Sequence, residues 1–254
     1  RMFTPYFPLR NRISRLDVDF SNDTISVKNL RYRAGSSDIT VGGMVTNIKR
    51  ALTSRRGNNS LKVNFKLVSD TIDVNQLSAA AFSGAAYSHR LANGGAAIQL
   101  NGDSDEVLDD RLDAMVSEQS DTVGPLLIPT NIDGQLSLKA SNILYADMAM
   151  TGLTGDILLY DGGVNLHSLT ASSDAGDLSL TALYSAPKVG DMHFGFGLNL
   201  ERFNIERFLT LVPAVDSIMP LMRDFSGIIN AEIAATVDVD SSMNMVLPTL
   251  DAAL

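Results

Sequence analysis

Residues 191–212, DMHFGFGLNLERFNIERFLTLV, change period once and do so abruptly. Met192, Phe194, Phe196, Leu198 and Leu200 alternate with His193, Gly195, Gly197 and Asn199. That is the period of a half-buried strand. From Asn204 the period becomes helical. Asn204 is a suitable cap, and Ile205, Phe208, Leu209 and Val212 recur at helical spacing until Pro213 ends or kinks the turn.

The pattern occurs twice. In residues 60–77, SLKVNFKLVSDTIDVNQL, Leu61, Val63, Phe65 and Leu67 alternate, and Asp73 stands at a cap with Gln76 three residues on. Phe65 aligns with Phe196 and Val74 with Ile205, an offset of 131 residues. Upstream, Ile25 aligns with Val164 and Asp38 with Asp177, an offset of 139. The difference falls in the loop holding Ser54 to Asn59. An internal repeat of this size fixes the organisation before any single element does. It divides the chain into a first β repeat (1–83), an acidic loop or helical insertion (84–130), and a second β repeat (131–254) that ends with the start of a further one. That last reading rests on the run opening at Gly227, which resembles the run opening at Gly134.

Between these units the coarse pattern is a meander of short strands and polar turns. Residues 1–15 read as irregular, and strands begin at Leu16. Ser21-Asn22-Asp23 and Ala34-Gly35-Ser36-Ser37 turn the first meander. Residues 48–52 suit a single helical turn. The glycine-rich run 84–97 reads as a loop. Residues 104–118 suit an acidic amphipathic helix, with acids crowding its first turns. Asp161-Gly162-Gly163 signals a hairpin. A second short helix is expected around Pro220, a long strand from Ile229 to Val239, and a last strand through Met243, Met245 and Leu247.

Charge and cysteine content narrow the chemistry. The net charge is −9, but residues 1–56 carry eleven Lys or Arg against four Asp, and residues 101–121 carry eight acids against one arginine. An acidic chain of this kind does not suit nucleic acid. The basic N-terminal region suits anionic headgroups or, more simply, a solvated strand face. With zero cysteines there are no disulfides and no thiolate sites, as suits an oxidising compartment. No window holds eighteen consecutive apolar residues, so no membrane-spanning helix is expected. The chain reads as an excised fragment, which leaves room for a membrane anchor outside it.

No catalytic constellation stands out. The histidines, His89, His167 and His193, are scattered. Asp191 and His193 share a strand face, but a metal site needs a third ligand at a recognisable spacing. NGDSDEVLDD (101–110) departs from the calcium-loop spacing. G-x-S-x-G and phosphate-loop motifs are absent. The chain is therefore read as a non-enzyme with no cofactor and no metal.

What remains is an excess of apolar strand face over the helices available to cover it. Such a face can pack on a second sheet as a sandwich, curl on itself, or stay a half-open trough filled by lipid. Acyl chains would stabilise a trough by roughly 0.8 kcal/mol per buried methylene. Periodicity leaves these three open.

GQLSLKASNILYADMAMTGLTGDILLYDGGVNLHSL, GDLSLTALYSA and FGFGLNLERFNIERFLTLVPAVDSIMPLMRDFSGIINAEIAATVD carry a further signal. Together they resemble the C-terminal region of AsmA-like proteins of Bacteroidetes-type bacteria, across roughly residues 16–82 and 130–254. The resemblance implies a mainly β fold. Its form would be a long, antiparallel, strongly curved sheet, a taco-like or half-barrel groove built from two repeats with a few short amphipathic helices. It implies a periplasmic module, anchored to the inner membrane, in outer-membrane biogenesis. It also implies kinship with the TamB and chorein-type bridge proteins, which offer an apolar groove to phospholipid. The expected groove lining is Leu61, Val63, Phe65, Leu67, Phe194, Phe196, Leu198 and Leu200. The expected partners are phospholipid, the inner membrane and outer-membrane assembly proteins. The alternative is a β-sandwich that assists outer-membrane protein assembly.

Overall fold

In a computed structural model, residues 4–53, 59–97, 127–211, 226–240 and 244–253 are described. The elements are β1 (Asn11–Phe20), β2 (Thr24–Ala34), β3 (Ser37–Thr46), α1 (Ile48–Thr53), β4 (Leu61–Asp73), α2 (Val74–Ala92), β5 (Ile132–Tyr145), β6 (Met148–Tyr160), β7 (Gly163–Ser173), β8 (Asp177–Lys188), β9 (Asp191–Asn204), α3 (Ile205–Leu211), β10 (Ile228–Asp238) and β11 (Asp251–Ala253). All eleven strands belong to one sheet, whose spatial order is the chain order. The fold is mainly β, and the sheet is open, not closed into a barrel. Among the described residues the strands make one sheet, not the two of a sandwich.

The repeat is present in the hydrogen-bond ladder itself. In the first copy Val27 pairs with Gly43, a bulge follows, and Leu30 pairs with Val41. In the second copy Leu166 pairs with Ala182, a bulge follows, and Leu169 pairs with Leu180. Every one of these positions is displaced by the sequence offset of 139. At the next ladder, Gly43 faces Phe65 and Ala182 faces Phe196. Strands β1 to β4 thus correspond to β6 to β9, bulge included. A bulge adds a residue to one strand and increases its twist, so a bulge at the same place in both copies bends both halves of the sheet alike.

One pairing departs from the antiparallel expectation. Strand β4 runs parallel to β5, with Leu61 opposite Ile132 and Asp73 opposite Leu144. Every other neighbouring pair is antiparallel. A parallel pair needs a long crossover, usually helical, and the chain from α2 to residue 131 supplies it. Strand β10, by contrast, is antiparallel to β9, with Phe196 opposite Ala235. The runs at Gly134 and Gly227 therefore open strands of different polarity relative to their predecessors, despite their likeness in sequence.

Helix α2 also corrects the reading of 84–97 as a loop, because it continues to Ala92. Its small residues serve packing. A side chain at Gly84 would meet the Tyr6 carbonyl oxygen at 1.9 Å, so the N-terminal segment lies directly on the helix backbone there. Tyr6 packs edge-on against Tyr87 with ring centroids 5.2 Å apart, and Arg90 stacks over the Tyr87 ring. The Asp73 cap forms as expected, accepting from the Gln76 amide at 3.0 Å. The Gln76 side chain does not return to the cap. Its Oε1 accepts from the Ser36 amide at 3.0 Å and ties the β2–β3 turn to the helix start.

Other boundaries shift for local reasons. Strand β1 starts at Asn11, not Leu16, because a bulge between Ile13 and Arg15 breaks the alternation. Asp161 and Gly162 both take positive φ, 49° and 73°, in a two-residue hairpin loop that also presses against Pro187. Residues 244–247, the described part of the expected last strand, form no strand. Met245 makes an isolated bridge to Val239, Leu247–Thr249 form a short 3-10 turn, and β11 follows. Pro248 cannot donate to a ladder, which explains the interruption. The helices expected over 104–118 and around Pro220 lie outside the described residues. Among those described, no helix is long and apolar enough to cross a membrane.

Candidate functional site: an apolar strip across the sheet

Residues directly opposite one another in neighbouring strands point to the same face. Following the register from strand to strand therefore traces lateral rows. One row runs Val18, Val27, Gly43, Phe65, Leu136, Ile157, Leu166, Ala182, Phe196 and Ala235. It crosses ten strands without a polar side chain. All ten residues are half-buried, neither exposed nor sealed.

Two flanking rows have the same chemistry. One passes through Ile25, Val45, Val63, Gly134, Leu159, Val164, Tyr184, Phe194 and Val237. The other contains Leu30, Val41, Leu67 and Leu138, and resumes beyond a bulge with Leu169, Leu180, Leu198 and Ile233. Rows two residues apart are about 6.8 Å apart, so the three rows make a strip about 14 Å wide. Nine strand spacings make it roughly 43 Å long. One bilayer leaflet holds tails spanning about 15 Å, so the strip is long enough for more than one tail laid end to end.

Buried side chains bracket the central row and enter the flanking ones, where Leu169, Ile233 and Val237 are buried. At the end where α2 and α3 begin, Ile143, Leu200, Phe203 and Ile205 are almost wholly inaccessible, and Ile72, Ala140, Met148 and Met150 are buried with them. At the other end Ile128, Ala186, Met192 and Val239 form a second cluster. Ile128 is fixed there by its amide, which donates to the Ala186 carbonyl at 3.0 Å. The eight expected lining residues divide accordingly. Leu61, Val63, Phe65, Leu67, Phe194, Phe196 and Leu198 are half-buried along the strip, whereas Leu200 is sealed in the first cluster. Sequence reasoning missed β5 to β8, which supply Leu136, Ile157, Leu166 and Ala182 to the central row. Their alternation was visible, but the parallel pairing that brings them beside Phe65 was not.

The reverse face is polar. Lys62 pairs with Asp133 across the parallel strands. Asp156 accepts from Ser137 at 2.6 Å and from Gln135 at 3.2 Å, and these two bonds hold its carboxyl below the usual range. Asp177 is lowered by hydrogen bonds from Ser172 and Arg202. A hollow of about 390 Å³ on this face has a mixed lining, with Asp177, Ser179, Asn199 and Glu201 beside Ala171 and Leu178.

His193 also lies on the polar face. Its Nδ1 is 2.6 Å from Asp238 Oδ1 and its Nε2 is 3.3 Å from Asp191 Oδ1. The Asp238 bond, then that to Asp191, raises the imidazole above its ordinary pKa despite slight desolvation. Asp238 arrives from β10, so no local spacing announces it. Among the described residues, no group of three or more His, Cys, Asp or Glu is arranged to hold a metal. The histidine acts as an exposed clip between β9 and β10.

No family model, no curated protein and no solved structure matches this chain, so its own geometry is what a functional reading has to stand on.

Proposed function

We propose that the chain is a non-enzymatic lipid-binding module that holds phospholipid tails along the apolar strip. On the AsmA-like resemblance we further propose that this module works in the periplasm, in outer-membrane biogenesis. The observation that carries the reading is the central row of ten apolar or glycine residues, every one half-buried. A closed core would bury these side chains. An ordinary solvated sheet would place polar groups among them. Half-burial over ten strands suits a surface that is completed by something apolar.

The expected occupant is hydrocarbon because the side chains of the three rows are apolar but for Tyr184 in a flanking row. Transfer of tail methylenes onto it contributes about 0.8 kcal/mol each, so a handful of methylenes gives useful affinity without any specific bond. Native mass spectrometry of gently purified protein tests this. Phospholipid adducts are expected, and Phe196→Asp is expected to abolish them while circular dichroism still reports a folded sheet. A clean apo mass with no uptake of added phospholipid contradicts the reading.

A further inference from the structure

Among the described residues, strand β1 is one open edge of the sheet. Edge strands expose main-chain donors and acceptors, and proteins usually blunt them with charge. This edge is charged, but the signs are segregated. On the polar face Arg12 and Arg15 occupy the first half of the strand, and Asp17 and Asp19 occupy the second. On the apolar face Ile13, Leu16 and Phe20 are 42%, 60% and 75% exposed, so the apolar strip runs to the edge uncovered.

We propose that β1 pairs antiparallel with β1 of a second copy of this chain, about a two-fold axis at Leu16. Centred there, Leu16 meets its own copy and Arg15 faces Asp17. The bulge between Ile13 and Arg15 adds one residue on each strand. Beyond it, Val18 faces Ile13 and Arg12 faces Asp19. Opposite charges therefore meet on the polar face while apolar side chains meet on the other, and both happen in one register. The present partners of these charges are exposed neighbours, Arg15 with Asp17 at 4.0 Å and Lys28 with Asp19 at 2.6 Å, and such surface pairs exchange at little cost. A parallel copy would set like charges against each other. Two eleven-stranded sheets become one continuous sheet, and their apolar strips join. The interface is isologous, so it closes as a dimer and does not propagate. A single strand pair lies at the small end of protein interfaces, so micromolar affinity is expected.

Sedimentation equilibrium across micromolar to millimolar concentration should show a monomer–dimer equilibrium. Two variants then test the register. The acidic edge, Arg12→Asp with Arg15→Asp, and the basic edge, Asp17→Arg with Asp19→Arg, should each be monomeric. Mixed, they should form a one-to-one heterodimer, which neither misfolding nor loss of a different contact would produce. The chain has no cysteine, so Leu16→Cys should oxidise to a covalent dimer far faster than Met44→Cys, exposed on the polar face of β3. A monomer at all concentrations, growth beyond dimers, failure of the two edge variants to associate, or equal crosslinking at both positions overturns the proposal.

Discussion

Phe65 and Phe196 stand 131 residues apart in the chain and in one lateral row of one sheet, linked through Leu136, Ile157, Leu166 and Ala182. Each faces a small residue on its upstream neighbour, Gly43 and Ala182 respectively. In the first copy the small partner is required, since a side chain at Gly43 would meet the Asn64 carbonyl oxygen at 2.1 Å and the Phe65 ring at 2.6 Å. The two copies of the repeat thus set a large ring against a small residue at equivalent places in both halves of the strip.

The strip and the sealed cluster at its end respond differently to truncation. Phe203 is 0% exposed, and Phe203→Ala should cost about 3–5 kcal/mol in urea unfolding, as for other buried rings. Phe196 is half-buried, and Phe196→Ala should cost well under half of that, because less contact is lost and the gap opens to solvent. Equal losses would mean that the strip is ordinary core.

The starts of α2 and α3 each depend on a side-chain cap. Asn204 Oδ1 accepts from the Arg207 amide at 2.7 Å, and Asp73 Oδ1 from the Gln76 amide at 3.0 Å. Asn204→Ala should cost about 1 kcal/mol. Asp73→Ala should cost more, because its Oδ2 also accepts from the Ser36 hydroxyl at 3.0 Å. Thermal unfolding of the two variants gives the order directly, and an Asn204→Ala loss equal to or above that of Asp73→Ala would contradict it.

His193 supplies a small pH dependence. Its folded pKa is raised, chiefly by Asp238, so the clip contributes fully below the unfolded histidine value of about 6.5. The contribution fades as pH rises through the raised folded value. The side chain is 53% exposed, so the effect is weakened by water and salt. NMR titration of the His193 ring should give a midpoint above that of a free histidine, and Asp238→Asn should bring it down. A midpoint unchanged by Asp238→Asn would remove the clip.

Much of this architecture is legible in period and spacing. Leu61 to Leu67 and Met192 to Leu200 alternate because one side of each strand faces the strip. Asp161-Gly162 marks its hairpin because two successive positive φ values favour those residues. The repeat is legible because the same ladder is built twice. What escapes is whatever depends on strands meeting across long separations. Nothing near Leu61 states that Ile132 will lie beside it in parallel. The bulge at Ser14 hides the first half of β1, since one extra residue inverts the alternation. Gly84 reads as a loop breaker until Tyr6 is found lying against it. Asp238 joins His193 only because β10 pairs with β9.

The central claim is that hydrocarbon lies on one face of this sheet. Ala182 sits in the middle of the half-buried row, and Thr181 beside it points to the polar face. In a chain free of cysteine, Ala182→Cys and Thr181→Cys can each carry one fluorophore without competing labels. Phospholipid bearing a quenching nitroxide on its tail should quench the label at 182 strongly and leave that at 181 nearly unchanged. Equal quenching at both positions, or none at 182, would contradict a lipid-lined strip.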